Sequence, residues 1–349
     1  MTNTLADSEF TGVDAAKRLN ISDIEAAADR IRPHIFRTPL LESPILNDLL
    51  GFRLLVKAEN LQQTGSFKLR GASNAIWSLD DTVSDVIAYS SGNHAQGVAR
   101  AAQKRGLGAT IVMPADSPSV KLEGTKAYGA KVVTYDRQSE SREDIGTRIA
   151  ADTGAVLIRP FEDTRIIAGQ GTMGLEIAEQ CEELGATPDH FICCCGGGGL
   201  LAGNSIALKA RFPSISVWAA EPEGYDDTIR SLACGERQSN DISVPSICDA
   251  IVTPTPGEMT FSINKQHVSG GFAISEDLAL RTMSAAFKYL RLVSEPGGAV
   301  ALAAALDKRL PKDTTCAVVV ISGGNVDASM FNRALALDPV IQVPMSLSG

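Results

Sequence analysis

At 349 residues the chain is long for one core and fits two domains, or one large domain with a smaller insert. A 44% hydrophobic and 21% charged composition is that of a folded globular chain, and a net charge of −9 works against nucleic-acid binding, which needs a basic face. No apolar run nears the roughly 18 residues of a membrane span, and the N-terminus lacks the regions of a signal peptide, so a cytoplasmic protein without membrane partners is expected.

In chain order, residues 1 to about 20 read as a loosely held leader. Ser22 is placed to cap a helix over Asp23–Ile31, which Pro33 ends. Strands at 53–57, 86–89, 110–113, 131–135 and 156–159 then alternate with helices near 68–79, 93–105, 119–128 and 141–152. A helix near 170–184, a strand at 190–195, a helix near 200–211 and a strand at 216–221 follow. Beyond a less regular stretch with Pro245, Pro254 and Pro256, helices near 276–290 and 297–308 lead to a strand at 316–321. Apolar strands alternating with helices predict an α/β fold of parallel sheets covered on both faces, with ligands at the carboxyl ends of the strands.

Seven cysteines include the run Cys193-Cys194-Cys195, and none has C-x-x-C spacing. Buried, reduced thiols packing as small apolar groups are expected. His34, His94, His190 and His267 form no H-x-x-x-H pair, which leaves a histidine metal site without support.

The chemistry centres on Gly65-Ser66-Phe67-Lys68-Leu69-Arg70-Gly71-Ala72. Lys68 stands near a helix start, where a low-dielectric pocket would lower its pKa and make it a nucleophile; a solvated lysine is the alternative for this stretch alone. Three loops follow strands. Ser90-Ser91-Gly92-Asn93-His94-Ala95-Gln96-Gly97 gathers N–H groups and hydroxyls at a helix start, as a carboxylate site or an ordinary cap would. Gly196-Gly197-Gly198-Gly199-Leu200 lets the backbone approach a phosphate, and it matches neither the dinucleotide nor the NTP pattern. Ser322-Gly323-Gly324-Asn325 offers a hydroxyl to a ring nitrogen or a substrate oxygen, or is a plain turn. A lysine, a phosphate cradle, an aromatic ring and a ring-nitrogen partner are the parts that pyridoxal phosphate needs.

Together with Ala168-Gly169-Gln170-Gly171-Thr172 and Glu295-Pro296-Gly297-Gly298-Ala299, these stretches resemble the motif set of the fold-type-II pyridoxal phosphate enzymes. Their order and spacing are similar to the threonine/serine dehydratase and serine racemase branch, over about Ile21 to Asp327. The resemblance implies a tryptophan synthase β-like fold: two open, twisted, mostly parallel sheets flanked by helices. Residues 1–84 and 161–349 would form the large cofactor-binding domain, and 85–160 a small domain closing over the substrate.

By the same resemblance Lys68 is the Schiff-base lysine and the acceptor of the α-proton, and Phe67 packs on the pyridine ring. Asn93 meets the ring hydroxyl, and Gly196, Gly197, Gly198 and Gly199 with the Leu200 amide hold the phosphate. Ser322 faces the pyridine nitrogen. As a neutral partner it makes the ring a weaker electron sink than an aspartate would, which favours prompt loss of a β-substituent. Ser90, Ser91, Asn93 and His94 would receive the substrate. Ser91 is also a candidate acid for racemisation, or a hydroxyl satisfied within its turn; many threonine dehydratases have alanine there.

Glu221, the Tyr225 carbonyl and Asp227 match the Mg²⁺ loop of racemase-like members, with an acidic solvated loop as the alternative. Two departures stand out: Arg159 lies where relatives often have histidine before Pro160, and Phe161 is threonine-dehydratase-like where the mammalian-type racemase has asparagine. The implied activity is deamination of L-threonine and L-serine to 2-oxobutanoate or pyruvate and ammonia. The alternative is a 3-hydroxyaspartate ammonia-lyase or a serine racemase with side dehydratase activity. A homodimer is implied, and the tail after about Asp338 is too short for a regulatory domain.

Overall fold

A computed structural model describes residues 9–90, 92–136 and 139–342. The opening helices are α1 (Val13–Arg18) and α2 (Ile21–Ile31), followed by strand β1 (Leu40–Glu42), helix α3 (Pro44–Leu50) and strand β2 (Arg53–Ala58). Helix α4 (Lys68–Trp77) leads into a run of β3 (Asp85–Tyr89), α5 (Asn93–Arg105), β4 (Gly108–Pro114), α6 (Ser119–Ala127), β5 (Lys131–Tyr135), α7 (Arg142–Thr153) and β6 (Val156–Leu157). Then come α8 (Thr164–Glu183), β7 (His190–Cys194), α9 (Gly199–Arg211), β8 (Ser216–Pro222), α10 (Asp227–Cys234) and α11 (Glu258–His267). The chain closes with β9 (Val268–Ile274), α12 (Glu276–Ala285), α13 (Pro296–Leu306), β10 (Cys316–Ile321) and α14 (Ala328–Leu335).

Two sheets result. One has the order β1-β2-β10-β7-β8-β9, and the other β5-β4-β3-β6. All pairings are parallel except the edge pair β1–β2, where Leu40 faces Lys57 in antiparallel register. The central strands β10 and β7 are buried along their whole length, as continuous apolar runs in a doubly covered sheet should be. Helix α13 is apolar all round and buried at every residue, so it packs as an interior layer beside β10 and β7.

Glycines set the closest helix contact. A Cβ on Gly203 of α9 would lie 2.2 Å from the Ile167 carbonyl, and one on Gly171 of α8 would lie 2.8 Å from the Gly203 carbonyl. The two helices therefore touch backbone to backbone, which accounts for the Ala168–Thr172 stretch. Helix α4 sits between the two sheets. Leu69, Ala72, Ala75 and Ile76 join the core of the second sheet with Val86, Ala88 and Val98, while Gly71 lies against Gln170 and Ile166 of α8.

Several elements differ from the sequence expectation. Residues 13–18, expected to be a loose leader, form α1, because Ala15 and Ala16 bury against Ile167, Ala202, Met259 and Ile263. Asn20, not Ser22, caps α2. Its side chain accepts from the Ser22 amide at 2.9 Å, and Asp23 accepts from the Asn20 amide at 2.8 Å, a reciprocal cap placed earlier than expected. The helix expected to reach 290 is α-helical only to Ala285, then widens into a π turn that ends at Arg291 with φ 63°. The irregular proline-containing stretch holds α10, α11 and the edge strand β9. Among the described residues no helix is long and apolar enough to cross a membrane.

Candidate active site

The lysine loop is stapled to the serine loop at the end of β10. Ser66 and Gly323 form an antiparallel bridge, the Phe67 amide donates to the Ser322 carbonyl at 3.1 Å, and the Gly324 amide donates to the Gly65 carbonyl at 2.9 Å. Gly65 has φ 71°, and a Cβ there would lie 2.5 Å from Asn325 Oδ1, so only glycine lets the loops close this tightly. Lys68, the first residue of α4, thereby follows directly on the residue whose amide is bonded to Ser322.

Lys68 Nζ lies 3.3 Å from the Pro160 carbonyl and 5.1 Å from the Phe67 ring centroid. Desolvation brings its pKa down to about 8. Only the neutral amine attacks a carbonyl. The rate at which an aldehyde adds to Lys68 should therefore climb about tenfold per pH unit and level off near pH 8. Stopped-flow absorbance checks this; a rise continuing to about pH 10.5 would mean an ordinary solvated lysine.

The glycine loop links β7 to α9. Gly198 caps α9 at φ 88°, in the left-handed region. Added Cβ atoms would lie 3.1 Å from Ile251 Cα at Gly196, 2.3 Å from the Phe161 ring at Gly197 and 2.8 Å from Thr260 Oγ1 at Gly198. Thr260 and Asn264 tie the Gly197 and Gly198 carbonyls to α11, at 2.6 and 3.4 Å. The cavity at this loop is lined by Lys68, Phe67 and Cys194 together with Gly199 and Leu200, and by no carboxylate. A side-chain-free cradle opening a thirteen-residue helix beside a lysine fits a phosphate.

The Ser90–His94 loop opens α5. Ser90 Oγ accepts from the Gly92 amide at 3.1 Å, and Ser91 lies outside the described residues. Asn93 Nδ2 donates to Glu295 Oε1 at 2.5 Å, while its Oδ1 accepts from Asn325 at 2.8 Å. His94 Nε2 lies 3.0 Å from the Ile158 carbonyl and so carries the proton, leaving buried Nδ1 unpaired. Burial, then the nearby Lys68, holds its pKa down to about 3, so the imidazole stays neutral.

Three residues that sequence reasoning gave no role meet here. Lys121 of α6 is buried and pairs with Asp249 at 2.7 Å and Glu295 at 3.3 Å. Arg142, the first residue of α7, lines the same cleft as Lys68 and stacks 5.5 Å from the Tyr89 ring centroid. Glu295 was visible in its Glu-Pro-Gly-Gly stretch, but Lys121 and Arg142 carry no local signal.

Glu221 is the penultimate residue of β8 and Asp227 opens α10, both fully buried, so this is not a solvated acidic loop. Glu221 accepts from the Thr228 and Ile229 amides at 3.2 and 2.9 Å, and Asp227 accepts from Asn240 at 2.6 Å while its Oδ2 is unpaired. Burial raises both carboxyl pKa values, that of Asp227 to about 6. Tyr225 hydroxyl donates to the Val244 carbonyl at 2.5 Å. Among the described residues no three His, Cys, Asp or Glu side chains gather as a metal site.

Residues 31–323 match the family described as pyridoxal-phosphate dependent enzyme, and the chain belongs to it, with the fold-type-II architecture. It is 41% identical over 322 residues to a serine racemase from Dictyostelium discoideum, covering 91% of this chain and 98% of that one. A β-hydroxyaspartate dehydratase from Paracoccus denitrificans is 38% identical over 307 residues, 87% of this chain and 96% of its own. The solved T.th. threonine deaminase superposes with a TM-score of 0.83 at 44% identity, covering 88% of this chain and 99% of its own.

Proposed function

We propose that this enzyme is an ammonia-lyase converting L-threonine and L-serine to 2-oxobutanoate and pyruvate with release of ammonia. The observation that carries the reading is a desolvated Lys68 on a loop that the Phe67 amide ties to the carbonyl of a neutral residue, Ser322. Pyridoxal phosphate, when bound, supplies the electron sink for the α-carbon. The chain's own residues do the rest. The Gly196–Gly199 loop and the Leu200 amide hold the phosphate, Phe67 and Asn93 orient the ring, and Ser322 faces its nitrogen. The hydroxyl of Ser90 and the N-terminus of α5 receive the substrate carboxylate. Lys68 Nζ takes the α-proton, which its pKa near 8 suits at neutral to mildly alkaline pH.

A second reading follows from Arg142. A guanidinium in the cleft, paired through Nε with Glu143 at 2.7 Å, can offer its remaining N–H groups to a second substrate carboxylate, and so to a 3-hydroxyaspartate. The 41% identical relative named serine racemase supports a racemising side activity, with Ser91 as its acid. The test is release of 2-oxo acid and ammonia from L-threonine, L-serine, D-serine and the 3-hydroxyaspartates. Threonine or serine as the best substrate supports the main reading. A hydroxyaspartate preference that Arg142→Leu reduces roughly 10- to 100-fold, the scale of a charged hydrogen bond, replaces it by the second. D-serine formed from L-serine, and lost in Ser91→Ala, establishes racemisation.

We also infer a homodimer in the cytoplasm and closure of residues 85–160 over the substrate. Glu221, Asp227 and the Tyr225 carbonyl are the residues that would take Mg²⁺ or another hard cation, since two buried carboxyls offer it oxygen ligands. Saturation at 100 times Kd should raise unfolding free energy by about 2.7 kcal/mol, reversed by a chelator. No shift in thermal unfolding with Mg²⁺, Mn²⁺ or Ca²⁺ would remove the cation from the account.

A further inference from the structure

The three consecutive cysteines meet different neighbours. Strand pleating turns Cys194 to the face opposite Cys193 and Cys195. Cys193 Sγ reaches the Cys194 carbonyl at 3.4 Å, and Cys195 Sγ faces Thr228 Oγ1 at 3.3 Å. Cys194 Sγ instead lies 3.1 Å from Ser322 Oγ, and it lines the cavity shared by Lys68 and the glycine loop. Cys194 and Ser322 are 2% and 4% exposed, so bulk water does not compete for this contact.

The backbone of Ser322 is already committed: its carbonyl accepts from the Phe67 amide and its amide donates to the Gly298 carbonyl. The hydroxyl is free to rotate, with one proton to give and two lone pairs to offer. A thiol that donates to Oγ occupies one lone pair. The serine proton then points away from the sulfur. A pyridine nitrogen met by an O–H donor is held as an acceptor, without a proton of its own.

We propose that Cys194 is a positioning residue: its thiol donates to Ser322 Oγ and so aims the Ser322 hydroxyl proton at the ring nitrogen of the bound cofactor. The inference rests on the proposed placement of Ser322 against the ring nitrogen, not on which amino acid the enzyme consumes. The weak electron sink set by a neutral partner is then fixed by two residues in series, one on β7 and one at the end of β10.

The test is the affinity of the apoprotein for pyridoxal phosphate, read by absorbance titration, together with the ¹⁵N resonance of ring-labelled cofactor. Cys194→Ala should weaken binding about 2- to 10-fold, the range of one neutral hydrogen bond, and move the ring-nitrogen resonance. Cys194→Ser, which keeps a donor, should restore both. In a Ser322→Ala background the Cys194→Ala change should alter affinity less than about twofold, because its partner is gone. Cys194→Val fills the strand position without a donor and should behave like alanine, which covers the case of an alanine cavity that disturbs the sheet. Unchanged affinity and resonance in Cys194→Ala and Cys194→Val would overturn the proposal. Equal losses with and without Ser322 would also overturn it, assigning Cys194 to packing alone. Failure of every hydroxy amino acid as a substrate leaves these binding measurements intact.

Discussion

Lys68→Ala loses turnover on every substrate by at least about 100- to 10,000-fold, the contribution of a positioned acid–base group, and the purified variant loses the absorption of covalently held cofactor. The buried amines Lys57 and Lys121 are already committed to carboxylates and cannot substitute. Lys57 Nζ is bound to Glu176 at 2.7 Å and to Gln180 at 2.8 Å, and Lys121 is held between Asp249 and Glu295. Lys68 instead meets the Pro160 carbonyl and the Phe67 ring. Because the side chain lies at the cleft, truncation leaves the packing of α4 through Leu69, Ala72 and Ile76 intact, and circular dichroism should match the parent. Steady-state rates within about tenfold of the parent would remove Lys68 from the chemistry.

Arg70→Met should cost about 3–5 kcal/mol of unfolding free energy, the penalty for leaving buried charges without their partner. Arg70 is fully buried in the first turn of α4, and it forks onto two carboxylates. Its Nε and Nη2 donate to Glu59 at 2.8 Å each, and its Nη1 and Nη2 donate to Glu176 at 2.8 and 2.7 Å. Glu59 follows β2 and Glu176 lies on α8, so the guanidinium joins the strand before the lysine loop to the helix behind it. Lys57 also reaches Glu176, which makes the set two positive and two negative charges, all satisfied. Removing Arg70 leaves Glu59 without its cation. Arg70→Lys keeps the charge without the planar fork and should fall between the two. Denaturant unfolding measures the change; a loss below about 1 kcal/mol would mean the network contributes no more than surface pairs do.

Much of this arrangement is written locally. The apolar runs at 53–57, 190–195 and 316–321 each become a buried strand, because every side chain in such a strand meets a covering layer. The glycine loop is equally local, since a run of four glycines has few other uses. What escaped is set by distant partners. Asn93 meets Glu295 across 202 positions, and Lys121 meets Asp249 across 128, so neither window shows why its residue is there. β9 is half-exposed, carries Gly270 and Gly271, and slips register against β8, which hides its strand pattern. Residues 13–18 are too short to signal a helix and become one through tertiary burial of two alanines. The cysteine run reads as plain core, and only the meeting of β7 with β10 singles out Cys194.

The most direct measurement is borohydride reduction of the protein loaded with pyridoxal phosphate, followed by proteolysis and peptide mass spectrometry. A single phosphopyridoxyl group on Lys68 is the predicted result, and it would fix the centre around which the glycine loop, Ser322 and the Ser90–His94 loop are arranged. The modification on Lys57, Lys121 or another lysine, or on none, would contradict the site as built.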